Sequence, residues 1–189
     1  MMKRFLVAST AIALCLTAAP RQAHAQLGFG FGASAGLTLP SGDLGDLAKS
    51  GYNVKILLGG RAPLTPVGFR LEGGYDAFKG EGQGSGADFS IRSGSANLVL
   101  GVPMGTMGAS PYVIGGVGVY NTKVDGSFTF LGQTFNQSQS ESRFGWNIGG
   151  GLEFGLGGLK TFVEARYVNV SGDKNPDFNH IPISFGVMF

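Results

Sequence analysis

The sequence predicts an all-β fold, an eight-stranded antiparallel up-and-down transmembrane β-barrel. Three observations carry this. The chain opens on an export segment. Eight later segments place apolar residues at every second position, with connections that alternate long and short. The last segment keeps its apolar face to the final residue, Phe189.

Residues 1–25 read as a signal peptide. Lys3 and Arg4 give a positive start, Phe5 to Ala19 are apolar, and Ala23-His24-Ala25 is the small-x-small pattern cut by signal peptidase. The apolar stretch is shorter than the roughly 20 residues of a spanning helix. Cys15 lies upstream of the cut and leaves with it. The predicted mature domain, 26–189, therefore holds no cysteine for a disulfide or a thiolate metal site. Losing Lys3, Arg4 and Arg21 takes the formal charge from +2 to −1, so no basic footprint for nucleic acid is expected. All 34 glycines fall after residue 25 without a collagen period. Aromatics placed inside alternating segments argue against disorder. No apolar run after residue 26 is long enough for a helix, and a membrane chain without one must close into a barrel.

The strands follow in order. The first, 27–39, sets Leu27, Phe29, Phe31, Ala33, Ala35, Leu37 and Leu39 in phase, and the second, 51–61, sets Tyr52, Val54, Ile56 and Leu58. The third, 67–78, carries Val67, Phe69, Leu71 and Tyr75. The fourth spans 87–102 and the fifth 111–121, and the phase of both stays open. In the fourth, Phe89 and Ile91 are odd but Ala96, Leu98 and Leu100 are even. Either a bulge near Gly94 corrects the phase or Arg92 faces outward at the interface. The sixth, 143–155, aligns Phe144, Trp146, Ile148, Leu152 and Phe154. The seventh, 159–170, aligns Val163, Ala165 and Tyr167, and the eighth aligns Ile181, Ile183, Phe185, Val187 and Phe189. Period-two alternation is the mark of a strand with two different faces.

The connections 40–50, 79–86, 122–142 and 171–180 are long and polar, whereas 62–66, 103–110 and 156–158 are shorter. Long external loops and short periplasmic turns are the usual asymmetry of such barrels. An aromatic girdle of Tyr52, Tyr75, Tyr120, Trp146 and Tyr167, with Phe78, Phe89 and Phe144, is expected toward the long-loop ends. Phe69, Tyr112, Phe154 and Phe189 are expected toward the short turns.

The terminal strand, with Phe185, Val187 and Phe189, resembles the C-terminal signal by which bacterial outer-membrane barrels are recognised for insertion. With the alternating segments, it makes the chain similar to the small outer-membrane β-barrel superfamily, such as the OmpA transmembrane domain and the OmpX/Ail-type barrels. The resemblance implies the bacterial outer membrane, reached through the periplasm. It implies outer-membrane lipids, lipopolysaccharide and the barrel-assembly machinery as partners, with a surface or protein partner for the outer loops.

Opposite phases place polar residues in the lumen: Lys55 and Arg61, Arg70 and Glu72, Asn147 and Glu153, Glu164 and Arg166. An interior eight strands wide is filled by side chains. The charges of Lys55, Arg70, Glu72, Glu153, Glu164 and Arg166 are expected to pair there as a salt-bridged plug, since an isolated buried charge is costly. Inner glycines such as Gly149 and Gly151 leave room for them. A narrow pore is the alternative. Some small barrels are instead lipid A-modifying enzymes with a serine and histidine at the outer rim. Here His180 lacks an adjacent serine, Ser184 is four residues on, and no catalytic residue is assigned. Asp43, Asp46, Asp173 and Asp177 lie scattered without EF-hand spacing, and neither metal nor cofactor is expected.

Phe189→Asp is expected to lower outer-membrane levels of folded protein far more than His180→Ala does. Quantitative blotting of membrane fractions measures it, and normal levels of the Asp variant would refute the assembly role of the terminal residue.

Overall fold

Strict alternation gives every segment one face for an apolar surround and one for an interior, and only sheet closure satisfies both edges at once. The computed structural model describes residues 28–45, 48–61, 65–80, 88–102, 108–130, 133–156, 159–170 and 179–189. The export segment and most of the connections 79–86 and 171–180 lie outside the described residues. Eight strands form: β1 (Gly28–Ser41), β2 (Ala48–Arg61), β3 (Val67–Gly80), β4 (Asp88–Gly101), β5 (Ala109–Phe130), β6 (Gln133–Leu156), β7 (Leu159–Val170) and β8 (Asn179–Met188). Each pairs antiparallel with its sequence neighbour, and β8 pairs with β1 to close the barrel.

The seam runs from Gly32 opposite Met188 to Ser41 opposite Asn179. Beyond it Phe189 N–H donates to Phe31 O at 2.8 Å, and Phe31 N–H donates to Phe189 O at 3.2 Å. The two rings stack with centroids 5.5 Å apart. The terminal residue thus completes both the ladder and the apolar surface.

Outside, Leu37, Ile56, Leu98, Val117, Ile148 and Phe185 stand exposed on successive strands. A sheet presenting such a surface all round is built for hydrocarbon rather than water. The fourth strand settles on one of its two predicted registers. Its pairing to β3 and β5 is continuous through Gly94, so no bulge intervenes. Ile91, Asn97 and Val99 are buried, and Arg92 faces outward opposite Tyr75. An outward arginine costs about 2–4 kcal/mol at the bilayer midplane but almost nothing at the interface, which is where the neighbouring tyrosine sits.

Two connections differ from expectation. The stretch 122–142 is not a loop: β5 and β6 continue in unbroken register from Thr122 opposite Glu141 to Phe130 opposite Gln133. Its Thr, Val and Phe residues favour strands. The first connection, in turn, folds partly inward. A 3-10 turn, Gly42–Leu44, buries Leu44, and Gly42 takes a φ of 61°, in the left-handed region that favours glycine.

A cysteine at Ser140 is expected to react with an impermeant thiol reagent on whole cells, and one at Thr65 is not. The opposite labelling pattern would invert the barrel.

Candidate lumenal ion-pair site

The interior is layered. At the short-turn end Leu57, Val99, Tyr112, Ile114 and Phe162 form one apolar cluster, with Met188 against it. At the long-loop end Leu44, Ala48, Phe78, Ile91, Tyr120, Val168 and Val170 form another, with Phe89 against it. The buried charges lie between them.

Each of two strands supplies an arginine and a glutamate two residues apart, hence on one face. Strand β3 offers Arg70 and Glu72; β7, four strands round the barrel, offers Glu164 and Arg166. Both strands run in the same direction, so the two sets meet in complementary order across the lumen. Arg70 Nη1 lies 2.8 Å from Glu164 Oε2, and Arg166 Nη2 lies 2.5 Å from Glu72 Oε1. Within each strand the contacts close the ring: Arg166 Nε to Glu164 Oε1 at 2.5 Å, and Arg70 Nη1 to Glu72 Oε1 at 3.6 Å. All four side chains are at most 4% exposed.

Neutral groups occupy the remaining valences. Tyr112 Oη donates to Glu164 Oε2 at 2.7 Å. Arg166 Nη1 donates to Asn147 Oδ1 at 3.4 Å, and Asn147 Nδ2 donates to Asn97 Oδ1 at 2.8 Å. Asn97 Nδ2 donates to the Arg70 carbonyl at 3.3 Å. On the β1–β2–β8 side, Ser184 Oγ donates to Asn53 Oδ1 at 2.8 Å, and Asn53 Nδ2 caps the Leu37 carbonyl. The Arg70 guanidinium also stacks on Phe162, 4.7 Å from the ring centre, which ties the charged layer to the apolar one below.

Glycines make the space. A Cβ on Gly149 would lie 2.8 Å from Arg166 Cγ, and one on Gly151 would lie 2.6 Å from Tyr112 Oη. Neither leaves room for any side chain.

Two of the six predicted lumen charges face inward but stand outside the paired ring. Lys55 faces inward, half-buried, within the field of Glu72, Asp76 and Glu164, but makes no ion pair among the described residues. Asp76 thus joins Lys55 and the ring in one cluster of inward-facing charges, while Arg143, also buried, pairs with Glu141 on β6. Glu153 sits at the short-turn mouth, 3.6 Å from Arg61 and 3.7 Å from Lys160, beneath the apolar layer rather than in the network.

The aromatic girdle needs a larger correction. Tyr120 is 4% exposed and faces the lumen within the upper cluster. Phe78, Phe89 and Tyr112 point inward too. Even positions of β5 face in, so a tyrosine belongs to whichever layer its height meets. Tyr52 with Tyr75, and Trp146 with Tyr167, do form outward pairs, with centroids 6.4 and 5.8 Å apart. Phe69 packs edge-on against Phe29 at the opposite rim.

His180 is a strand residue rather than a rim loop residue. It is 1% exposed, with Nε2 4.0 Å from Asp76 Oδ2 and its ring 5.8 Å from that of Phe78. Among the described residues no group of three or more His, Cys, Asp or Glu side chains is placed to hold a metal.

Residues 9–189 match the family model described as outer membrane protein beta-barrel domain. The chain belongs to that family. No curated protein sequence matches it. Among solved structures the barrel is similar to Neisserial surface protein A, with TM-score 0.64 and 19% identity over 85% of this chain and 96% of that one. It is also similar to a major outer membrane protein of Thermus thermophilus, with TM-score 0.59 and 11% identity over 86% and 98%. At such identities the likeness is one of fold. An outer-membrane barrel of this size thus holds its charges in a ring that sequence distance conceals, since the two cross-lumen pairs each join residues 94 apart.

Replacing Glu164 with Gln leaves Arg70 and Arg166 buried with one carboxylate between them. That should cost about 3–5 kcal/mol of stability. Glu153→Gln, at the wetter mouth, should cost less than about 1 kcal/mol. Urea unfolding of the refolded barrels in lipid vesicles measures both, and equal losses would break the distinction.

Proposed function

We propose that this outer-membrane barrel is an ion-tight scaffold that presents the β5–β6 ribbon at the cell surface, and that it catalyses nothing. It reaches the outer membrane by signal-peptide export through the periplasm and is inserted by the barrel-assembly machinery through its terminal strand. There it sits among lipopolysaccharide and other lipids. The carrying observation is the filled cross-section: a ring of paired charges closed by an apolar layer on either side. An ion crossing it would have to displace buried guanidinium–carboxylate contacts and pass the apolar side chains packed on either side of them.

The interaction half of the reading rests on the ribbon. Strand β6 meets β7 only from Gly145 onward, so among the described residues 133–144 pair with β5 alone. A free strand edge is a template on which an extended segment of another protein adds a strand. The non-enzymatic half rests on access. Buried His180 faces Asp76, and the Ser184 hydroxyl is engaged by Asn53, so neither meets a substrate from outside.

Planar-bilayer recording of the purified barrel tests the scaffold reading. No step conductance is expected from the native protein, nor from Glu72→Gln once its folding is verified. A reproducible current abolished by Glu72→Gln would establish a narrow pore instead. Mild protease on whole cells should cut between residues 126 and 137 while the barrel stays in the membrane.

A further inference from the structure

At the short-turn end, strands β1, β2 and β3 face the lumen with almost no side chains. Gly28 and Gly30 on β1, Gly59 on β2 and Gly68 on β3 all fall in the inward phase, and Gly30 stands directly opposite Gly59. They line a cavity of about 210 Å³. Val99 and Met188 of the lower apolar cluster lie at its inner end. Arg70 borders it too but is already held by Glu164. A Cβ on Gly28 would meet nothing within 4 Å, so this side of the mouth is open space.

The outer end of the cavity carries charge. Arg61 has Gly28 opposite it on one side and Gly68 on the other, so no side chain of its own wall competes for it. It crosses the mouth to β6, where its Nη1 lies 3.6 Å from Glu153 Oε1. Lys160 Nζ lies 3.7 Å from the same oxygen. Neither separation is that of a hydrogen bond. Among the described residues, two cations share one carboxylate, and neither cationic side chain has another partner. The terminal carboxylate of Phe189, at the same rim, accepts from Phe31 N–H and pairs with neither cation. Long, partly exposed ion pairs are worth little, so a better acceptor displaces Glu153 at small cost.

A group complementary to this space is small, negatively charged at its outer end and apolar behind. We infer that the short-turn mouth is a binding site for a small organic carboxylate. Its oxygens are taken by the Arg61 guanidinium fork and the Lys160 ammonium, and its body lies along the glycine wall toward Val99 and Met188. The volume suits a single ring or a short chain, since sites for drug-sized ligands start at about 300 Å³. With this end on the periplasmic side, the ligand is a periplasmic solute. The site lies outside the ring and both apolar layers, so it goes beyond the scaffold reading.

Fluorine NMR of the refolded barrel in detergent tests it, with 4-fluorobenzoate as the probe, neutral 4-fluorobenzamide as the control and empty micelles as the blank. The wild-type barrel should bind one equivalent of the benzoate saturably and the amide no more than the blank. R61Q/K160Q should lower benzoate affinity at least tenfold. G28L, which fills the cavity without touching a charge, should do the same. E153Q removes the competing acceptor and should raise the affinity at least threefold, a gain that a merely structural Glu153 would not give. Heat-dependent gel mobility verifies folding. If the double variant fails that check, K160Q serves in its place, with at least a threefold loss expected. No saturable binding by the wild type, equal binding of the amide, unchanged affinity in the folded cation variant, or a loss in E153Q would each overturn the site. None of these outcomes bears on conductance or on protease cleavage of the ribbon, so the two readings fail separately.

Discussion

Everything in this molecule follows from the requirement that a sheet in hydrocarbon leave no backbone group unpaired. Closure is decided at one seam, β1 against β8, and the sequence there is shaped for it. Gly32 and Gly36 lie on the inner face of β1, where a Cβ would run into the backbone of β8. At the end of the seam Phe31 and Phe189 exchange two hydrogen bonds and stack their rings. Once the cylinder is closed, no strand can slip by one residue without turning its apolar face inward and its charges outward. Parity then stops being a local preference and becomes a property of the whole barrel.

A cylinder of eight strands is too narrow to stay empty, and the way it is filled constrains it further. Buried ion pairs are weak evidence for stability, since well-packed apolar residues often do as well. What the charges add is order. The arginine–x–glutamate of β3 and the glutamate–x–arginine of β7 match only in the observed alignment. A slip of two residues keeps parity intact but sets Glu72 against Glu164. Parity therefore guards against odd slips and the charge ring against even ones. The apolar layers above and below keep water from screening the ring.

The strand count, most strand limits and the inward phase of Arg70, Glu72, Glu164 and Arg166 were legible in the sequence. In β2, β3, β6 and β7 one face is apolar and the other polar, so alternation alone gives the phase. It fails in β4 and β5 for a physical reason. These strands cross the two apolar interior layers, so Ile91, Tyr112, Ile114 and Tyr120 are as apolar inward as Leu98, Val113 and Val119 are outward. With both faces apolar, Tyr120 reads as a girdle residue. The ribbon was missed for the converse reason, since residues 122–142 are mostly polar in both phases and show no contrast to detect. The separation of Glu153 from the ring could not be read from parity at all. Parity fixes direction, and height along the barrel decides the partner.

The division between inside and outside also limits how change can spread. Arg92 and Lys123 share strands with Val99 and Tyr112, yet they face opposite sides of the wall and lie at a different height. Substitutions well separated and without shared partners usually add their effects. The charge ring, by contrast, is a coupled unit in which Glu164 alone bonds Arg70, Arg166 and Tyr112. Change at the outward positions of β4 and β5 therefore falls on residues the ring does not depend on.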